Sequence, residues 1–271
     1  MAYDKSAVQA ILDQVLAQGR SSLSALQGAK VCEAYGIPVP HEGLATSGDA
    51  AVDLAQNIGF PVVLKIVSPD ILHKTEAGGV LVGLDSAEAV ADGYRTIISN
   101  ARSYKSDADI SGVQVQQMMT TGQEVIIGAV TDPTFGKIVA FGLGGVLVEV
   151  LKDVTFRMAP IDRPEAQSMV DGIAAAEILR GVRGAEPVDQ SALVDLIQRV
   201  SDLVVDFPQF SEVDLNPVLS TPRGATAVDV RILVEKDPPL TPDRFSQEAI
   251  LTAMNRIMRP KSIAVIGASA A

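Results

Sequence analysis

The chain is poor in the residues from which many kinds of site are built. It has one cysteine, Cys32, so no intrachain disulfide can form, and a reducing cytoplasm is the expected compartment. With only two histidines, His41 and His73, it lacks the ligands for a His/Cys zinc site, and any metal would need oxygen donors. It has no Trp and only 4% aromatic residues, which speaks against a base-stacking nucleic-acid surface. Basic residues are outnumbered 22 to 33, giving a net charge of −11. That acidity excludes nucleic acid and anionic membrane as main partners, while leaving room for an anionic ligand held by local positive charge. No run reaches the roughly 18 apolar residues of a membrane span. The first 16 residues carry Asp4, Lys5 and Asp13 among spaced apolar positions, unlike a targeting signal.

What is present is a chain of 271 residues with ordinary globular composition, long enough for one large domain or two smaller ones. Val8, Ile11, Leu12, Val15 and Leu16 recur at helical spacing before Gly19, and further helices fit 23–35, 49–58 and 87–101. Pro61–Val67 and Gly79–Leu84 read as strands flanking a polar loop. Val113–Met119, Glu124–Val130 and Lys137–Phe141 read as three more, the first two forming a hairpin through Gly122. Helices over 164–179 and 189–207 and strands over 211–215 and 226–230 complete an α+β pattern of two lobes dividing near 103–111. The expected division is 1–110, 111–235, and a linker with the opening of a further unit over 236–271. That last part holds Pro238, Pro239 and Pro242, a helix to Met258, and the apolar stretch Ser262–Gly267, which reads as the first strand of a truncated Rossmann-type unit.

Five features could carry chemistry. Lys65 interrupts the apolar strand Val62–Val67. A charge there either reaches the strand end or a carboxylate, or meets a phosphate. The loop that follows, from Ser68 to Gly79, contains His73, which is either a solvated surface residue or a proton shuttle or nucleophile. It ends in Gly78-Gly79, whose backbone N–H groups could face phosphate oxygens. A second glycine-rich stretch, Phe141-Gly-Leu-Gly144-Gly145, is not a Walker loop and fits a tight bend or a phosphate contact equally well. In Glu212-Val-Asp214-Leu-Asn216-Pro217, strand alternation puts the three polar residues on one face, with Asp229 on the neighbouring strand. An oxygen-only set of this kind suits Mg²⁺ shared with nucleotide phosphates better than a solvated strand face.

Together these stretches resemble the ATP-grasp subunit of the ADP-forming acyl-CoA synthetases, relatives of succinyl-CoA synthetase. The resemblance runs from about residue 10 to 234. It rests on the stretch from Val63 to Val80, Val115–Met118 with Gln123-Glu124, Phe141–Gly145 through to Asp153, Leu179–Gly184, Glu212–Pro217 and Asp229–Arg231. It implies an ATP-grasp fold whose two lobes clasp ATP or ADP with Mg²⁺, and the reaction carboxylate + CoA + ATP ⇌ acyl-CoA + ADP + phosphate. By the same resemblance His73 would be a phosphohistidine on a mobile loop, and Lys65 would hold phosphates. Gln116, Gln117 and Met118 would line the adenine pocket, and Glu124 would meet ribose or metal. Gly78, Gly79, Gly144, Gly145 and Arg157 would approach phosphates. Asn216 and Asp229 would bind Mg²⁺, with Asp214 and Glu212 near the transferring phosphoryl group. The CoA site and the small-acid pocket would belong to a CoA-binding/ligase half, supplied by the same chain or by a partner subunit, in an oligomer. The competing implications are a ligase using a free acylphosphate and a catalytically silent nucleotide-sensing module of a larger protein.

Overall fold

The architecture follows from a computed structural model that describes residues 3–71, 73–119, 122–145, 153–182, 184–238 and 247–262. Two helices open the chain, α1 (Lys5–Ala17) and α2 (Ala25–Ala34). Asp4 and Ser24 cap them, the latter in a reciprocal capping box with Gln27. A smaller lobe follows, built from β1 (Glu42–Ala45), α3 (Gly48–Ile58), β2 (Val62–Val67), β3 (Val80–Leu84), α4 (Ala87–Tyr104) and β4 (Gly112–Gln117). Its antiparallel sheet has the order β1-β4-β2-β3. One sheet face carries Val62, Leu64, Ile66, Val113 and Val115, which pack with Val90, Ile97 and Ala101 of α4 and Ala51 and Ala55 of α3.

The chain then returns to a larger lobe. Its strands are β5 (Gln123–Asp132), β6 (Gly136–Leu143), β7 (Val154–Met158), β8 (Phe210–Thr221), β9 (Gly224–Ala227) and β10 (Val230–Val234). They form a sheet ordered β10-β8-β5-β6-β7, with β9 also on β8. One face is covered by α5 (Arg163–Gly172), the short α6 (Ala176–Leu179), the long α7 (Gln190–Asp206), and α1 and α2. The α7 side chains Leu193, Ile197, Val200 and Leu203 are fully buried. Truncating any of them to Ala would cost roughly 2–5 kcal/mol. The last described element is α8 (Gln247–Met258), where a helix was expected. The strand expected after Ser262 lies outside the described residues. No helix among the described residues is long and apolar enough to cross a membrane.

Four expectations are corrected. First, β4 and β5 do not form a hairpin: β4 pairs with β1 and β2, whereas β5 pairs with β6 and β8. Val113 and Val115 find their apolar partners in the small core, so the chain crosses between lobes after Gln117. Second, the lobe boundaries move. Val8, Leu12, Val31 and Tyr35 are buried in the larger core, so α1 and α2 belong there and the smaller lobe spans Glu42 to Gln117. Its two connections run side by side, the Gln117 N–H donating to the His41 carbonyl at 2.8 Å. Third, β7 was not foreseen. Fourth, the helix read over 164–179 breaks at Gly172, where the Asp153 carboxylate accepts from the N–H groups of Ala174 (2.7 Å) and Ala175 (2.8 Å).

Candidate functional site between the lobes

Strand periodicity leaves each sheet one face outside its apolar core, and those faces carry the polar residues. In the smaller lobe Lys65 pairs with Gln114, and Gln116 pairs with both Val63 and Glu42, so all four polar side chains share the face opposite the apolar core. Lys65 shares that face with Val63, and only the opposite face of the strand joins the small apolar core. Gln114 and Gln116 are nearly fully buried and both donate through Nε2 to Oε2 of Glu42 at 2.7 Å. Gln116 Nε2 also donates to the Val228 carbonyl of the larger lobe at 3.2 Å, which ties the two lobes beside Asp229. Burial raises the Glu42 pKa, while its two amide bonds and Lys65 pull it the other way.

In the larger lobe Val213 and Leu215 point into the core, and Glu212, Asp214 and Asn216 point away from it. Arg231 pairs opposite Asp214 and lies 3.4 Å from Glu212. Burial raises the Asp214 pKa and the Glu212 charge raises it further, against the opposing pull of Arg231. Asp229 occupies the bend between β9 and β10, where its carbonyl accepts from the Asn216 N–H at 3.2 Å. The two expected Mg²⁺ ligands are thus neighbours. Among the described residues no three His, Cys, Asp or Glu side chains cluster into a closed metal cage. An amide plus a carboxylate fits Mg²⁺, which keeps several waters and takes further oxygens from phosphates. A cavity of about 10 Å³, lined by Glu42, Gln114, Gln116, Val228 and Asp229, lies where the two faces meet.

The His73 loop is tethered at both ends. Ile71 and Ala77 are buried in the small core, and His73 itself is exposed. Lys74, which the sequence reading passed over, is partly buried. Burial lowers its pKa, with Asp229, Lys65 and Glu42 as its charged neighbours in decreasing order of effect. The signal was available, since a second cation follows the histidine, but nothing local shows that it turns inward.

Several glycine expectations change. The Gly78 N–H donates to Thr75 at 3.0 Å and the Gly79 N–H to Lys74 at 2.8 Å, so neither donor is bare for phosphate. Gly79 is required instead by close approach, since a Cβ there would sit 2.5 Å from Ile66 Cγ2. Gly144 and Gly145 pack on Glu124: a Cβ would lie 3.0 Å from Glu124 Cβ at the first and 2.9 Å from Glu124 Oε2 at the second. This is the tight bend of the two readings. Glu124 is exposed on the open face of β5, and residues 146–152 lie outside the described part. Gln117 and Met118 form the start of the crossing, with the Met118 N–H bound to the Pro61 carbonyl at 3.2 Å. Arg157 does not join the site. It pairs opposite the core residue Val139, so it lies on the helix-covered face, where its Nη2 donates to Ser168 at 3.2 Å.

The arrangement is two sheets presenting lysines from one side and oxygen ligands from the other, with a histidine loop at the rim. The profile of the ATP-grasp domain matches residues 14–234. The chain belongs to the ATP-grasp family. This ATP-grasp chain is 43% identical over 224 residues to the acetate–CoA ligase [ADP-forming] I subunit beta of Pyrococcus furiosus, an alignment covering 83% of the chain and 96% of that subunit. It is similar to the dinucleotide-forming acetyl-coenzyme A synthetase 1 of Ca. Korarchaeum cryptofilum solved with coenzyme A and Ca-AMPCP. The TM-score is 0.81 at 44% identity, covering 84% of this chain and 99% of that one. A second structure of that enzyme holds coenzyme A and Mg-AMPPCP, with its phosphohistidine segment pointing towards the nucleotide site. That match has a TM-score of 0.76 at 41% identity and covers 84% of this chain and 100% of that one.

Proposed function

We propose that this chain is the nucleotide-binding and phosphoryl-transfer part of an ADP-forming acid–CoA ligase, catalysing with its ligase half carboxylate + CoA + ATP ⇌ acyl-CoA + ADP + phosphate. The observation that carries the reading is the opposition of Lys65 and Lys74 to Asn216 and Asp229 across one cleft, with His73 exposed at its rim. The ATP phosphates would lie between these groups, with Lys65 as counter-charge and Asn216 and Asp229 holding Mg²⁺. Bound Mg²⁺ would neutralise charge on the phosphate oxygens. A ring nitrogen of His73 attacks the γ-phosphorus, the N–P bond forms, the bond to the bridging oxygen breaks, and ADP leaves. Asp214 and Glu212, on the same open face, would stand near the transferring group. Histidine suits the step because neutral imidazole is a good nucleophile near pH 7. The loop would then carry the phosphoryl group to the half that binds CoA and the small acid, in the same chain or in a partner subunit of an oligomer.

The named relatives are ligases, and none supports the silent-sensor alternative. Two measurements on the chain test the proposal. Calorimetry with Mg-ADP should show binding that Lys65→Ala weakens at least tenfold and whose Mg²⁺ dependence Asp229→Ala removes. Incubation with γ-labelled Mg-ATP should leave acid-labile phosphate on the chain but none on His73→Ala. Absence of nucleotide binding, or a labelled His73→Ala protein, would refute the assignment.

A further inference from the structure

Two sets of hydrogen bonds at the ends of the His73 segment play no part in the reading above, and both come from α4 and the connection that follows it. Asn100 stands near the end of α4 between Ile97 and Ala101, which are fully buried in the small core and fix the direction of that turn. Asparagine is a poor residue for a helix interior, because its amide competes for backbone groups. Here the amide reaches out of the helix, and Nδ2 donates to the Gly78 carbonyl at 2.9 Å. Gly78 takes a φ of +60°, and a Cβ on it would lie 2.8 Å from Asn100 Nδ2, so glycine is what lets the backbone come this close. At the other end Asp70 accepts from Lys105 Nζ at 2.9 Å through Oδ1 and from the Asp109 N–H at 2.6 Å through Oδ2. The Asp109 N–H first, and Lys105 after it, holds the Asp70 carboxyl below its ordinary range. The donors are themselves braced: Arg102 Nη1 donates to the Ala108 carbonyl at 2.7 Å, and Ala108 is buried in the small core.

What is held at Gly78 is also held at the histidine. The Ala77 N–H donates to the His73 carbonyl at 3.1 Å, the Gly78 N–H to Thr75 at 3.0 Å and the Gly79 N–H to Lys74 at 2.8 Å, so residues 73–79 are knit into one turn. Just inside the two sets of bonds Ile71 and Ala77 are buried, while His73, Thr75 and Glu76 are exposed. We propose that Asn100 and Asp70 are positioning residues for His73, pinning the segment at both ends so that α4 sets where the histidine rests at the rim of the cleft. Neither pin belongs to the polar wall that carries Lys65. For His73 to turn away from the nucleotide, the bonds at Gly78 and at Asp70 have to open together. That purpose rests on the phosphoryl-transfer reading above, but the pinning itself is measurable without nucleotide.

The test is amide hydrogen exchange on the nucleotide-free chain, joined to NMR of its histidine rings. Asn100→Leu keeps the size of the side chain and removes the donor, and Asp70→Ala removes both acceptors. Each should speed exchange at Ala77, Gly78 and Gly79 about fivefold, as expected for loss of one hydrogen bond. Asp70→Ala is the informative variant. Its bonds lie at the opposite end, so faster exchange at Gly78 and Gly79 requires that the segment be held as a unit. Asp70→Asn keeps an acceptor for the Asp109 N–H and should fall between Asp70→Ala and wild type. The chain has two histidines, so the ring signal of His41 serves as the control for that of His73. Relaxation dispersion at His73 should grow in both variants while His41 stays as in wild type. Unchanged exchange at Gly78 and Gly79 in folded Asn100→Leu would overturn the proposal. So would effects of Asp70→Ala confined to Asp109, or an equal change at both histidines, which would mark a general loosening. If Asn100→Leu melts early, Asp70→Ala decides alone. Failure of wild type to take label on His73 would sink the functional reading and leave the exchange result standing.

Discussion

Lys137 offers a prediction whose size can be worked through. Its ammonium is buried at the edge of the large core and donates to Thr131 Oγ1 at 2.6 Å and to the carbonyls of Pro208 and Phe210 at 2.7 and 2.8 Å. Burial lowers its pKa from 10.5 to about 8, with Glu235 pulling weakly the other way. The folded value lies below the unfolded one, so between pH 8 and 10.5 the unfolded chain binds more protons and stability rises with pH. Integrating those two values from pH 7 to 9.5 gives a gain of about 2 kcal/mol from this one group. Lys137→Met removes it. Urea unfolding of both proteins at pH 7, 8, 9 and 9.5 isolates the term, because every other titration cancels in the difference. The gap between wild type and variant should move in favour of wild type by about 2 kcal/mol across the range. Parallel curves would refute the reasoning and show that three short hydrogen bonds to the ammonium offset its burial completely.

Two further outcomes can be checked quickly. Arg157→Ala should bind Mg-ADP within about twofold of wild type, because the side chain lies behind the sheet; a loss above about tenfold in calorimetry would return it to the site. Cys32 is buried, and burial, with Glu33 and Glu42 nearby, pushes its thiol pKa up to about 12. It should resist a disulfide reagent at pH 8 until the chain is unfolded, and stoichiometric labelling of native protein within minutes would contradict that.

What could be read ahead of the structure was whatever strand parity decides. Alternation in 212–216 placed Glu212, Asp214 and Asn216 together, and one lysine in an apolar strand marked the opposite wall. Parity alone does not tell which face joins the core: Val63 shares Lys65's face, yet only the opposite face belongs to the small apolar core. Pairing partners were not legible, because β4 and β5 are each consistent with a hairpin and only the competition between two apolar cores separates them. Gly78 and Gly79 were read as phosphate donors because glycine permits both exposed backbone and close packing, and sequence cannot separate the two. Glu42 and Lys74 were missed because each is an ordinary surface-type residue until a fold from elsewhere in the chain buries it. Arg157 failed because β7 was unforeseen, and a residue without a strand has no face.

The paired connections of the smaller lobe have a mechanical consequence. The chain enters that lobe just before β1 and leaves just after β4, and those two strands are neighbours joined at Glu42 and Gln116. The lobe, Glu42 to Gln117, is therefore an inserted loop whose two stems touch, like a flag on a single pole. Torque applied at its far edge cannot be shared between distant anchors and must pass through one narrow ribbon. Rotation about that ribbon leaves the β1–β4 ladder intact and loads only the two connections and the Gln116–Val228 bond. A ligand bridging the two walls thus has one direction in which to move the smaller lobe, and the side chains at the foot of the pole, Gln116 among them, register every degree of the swing.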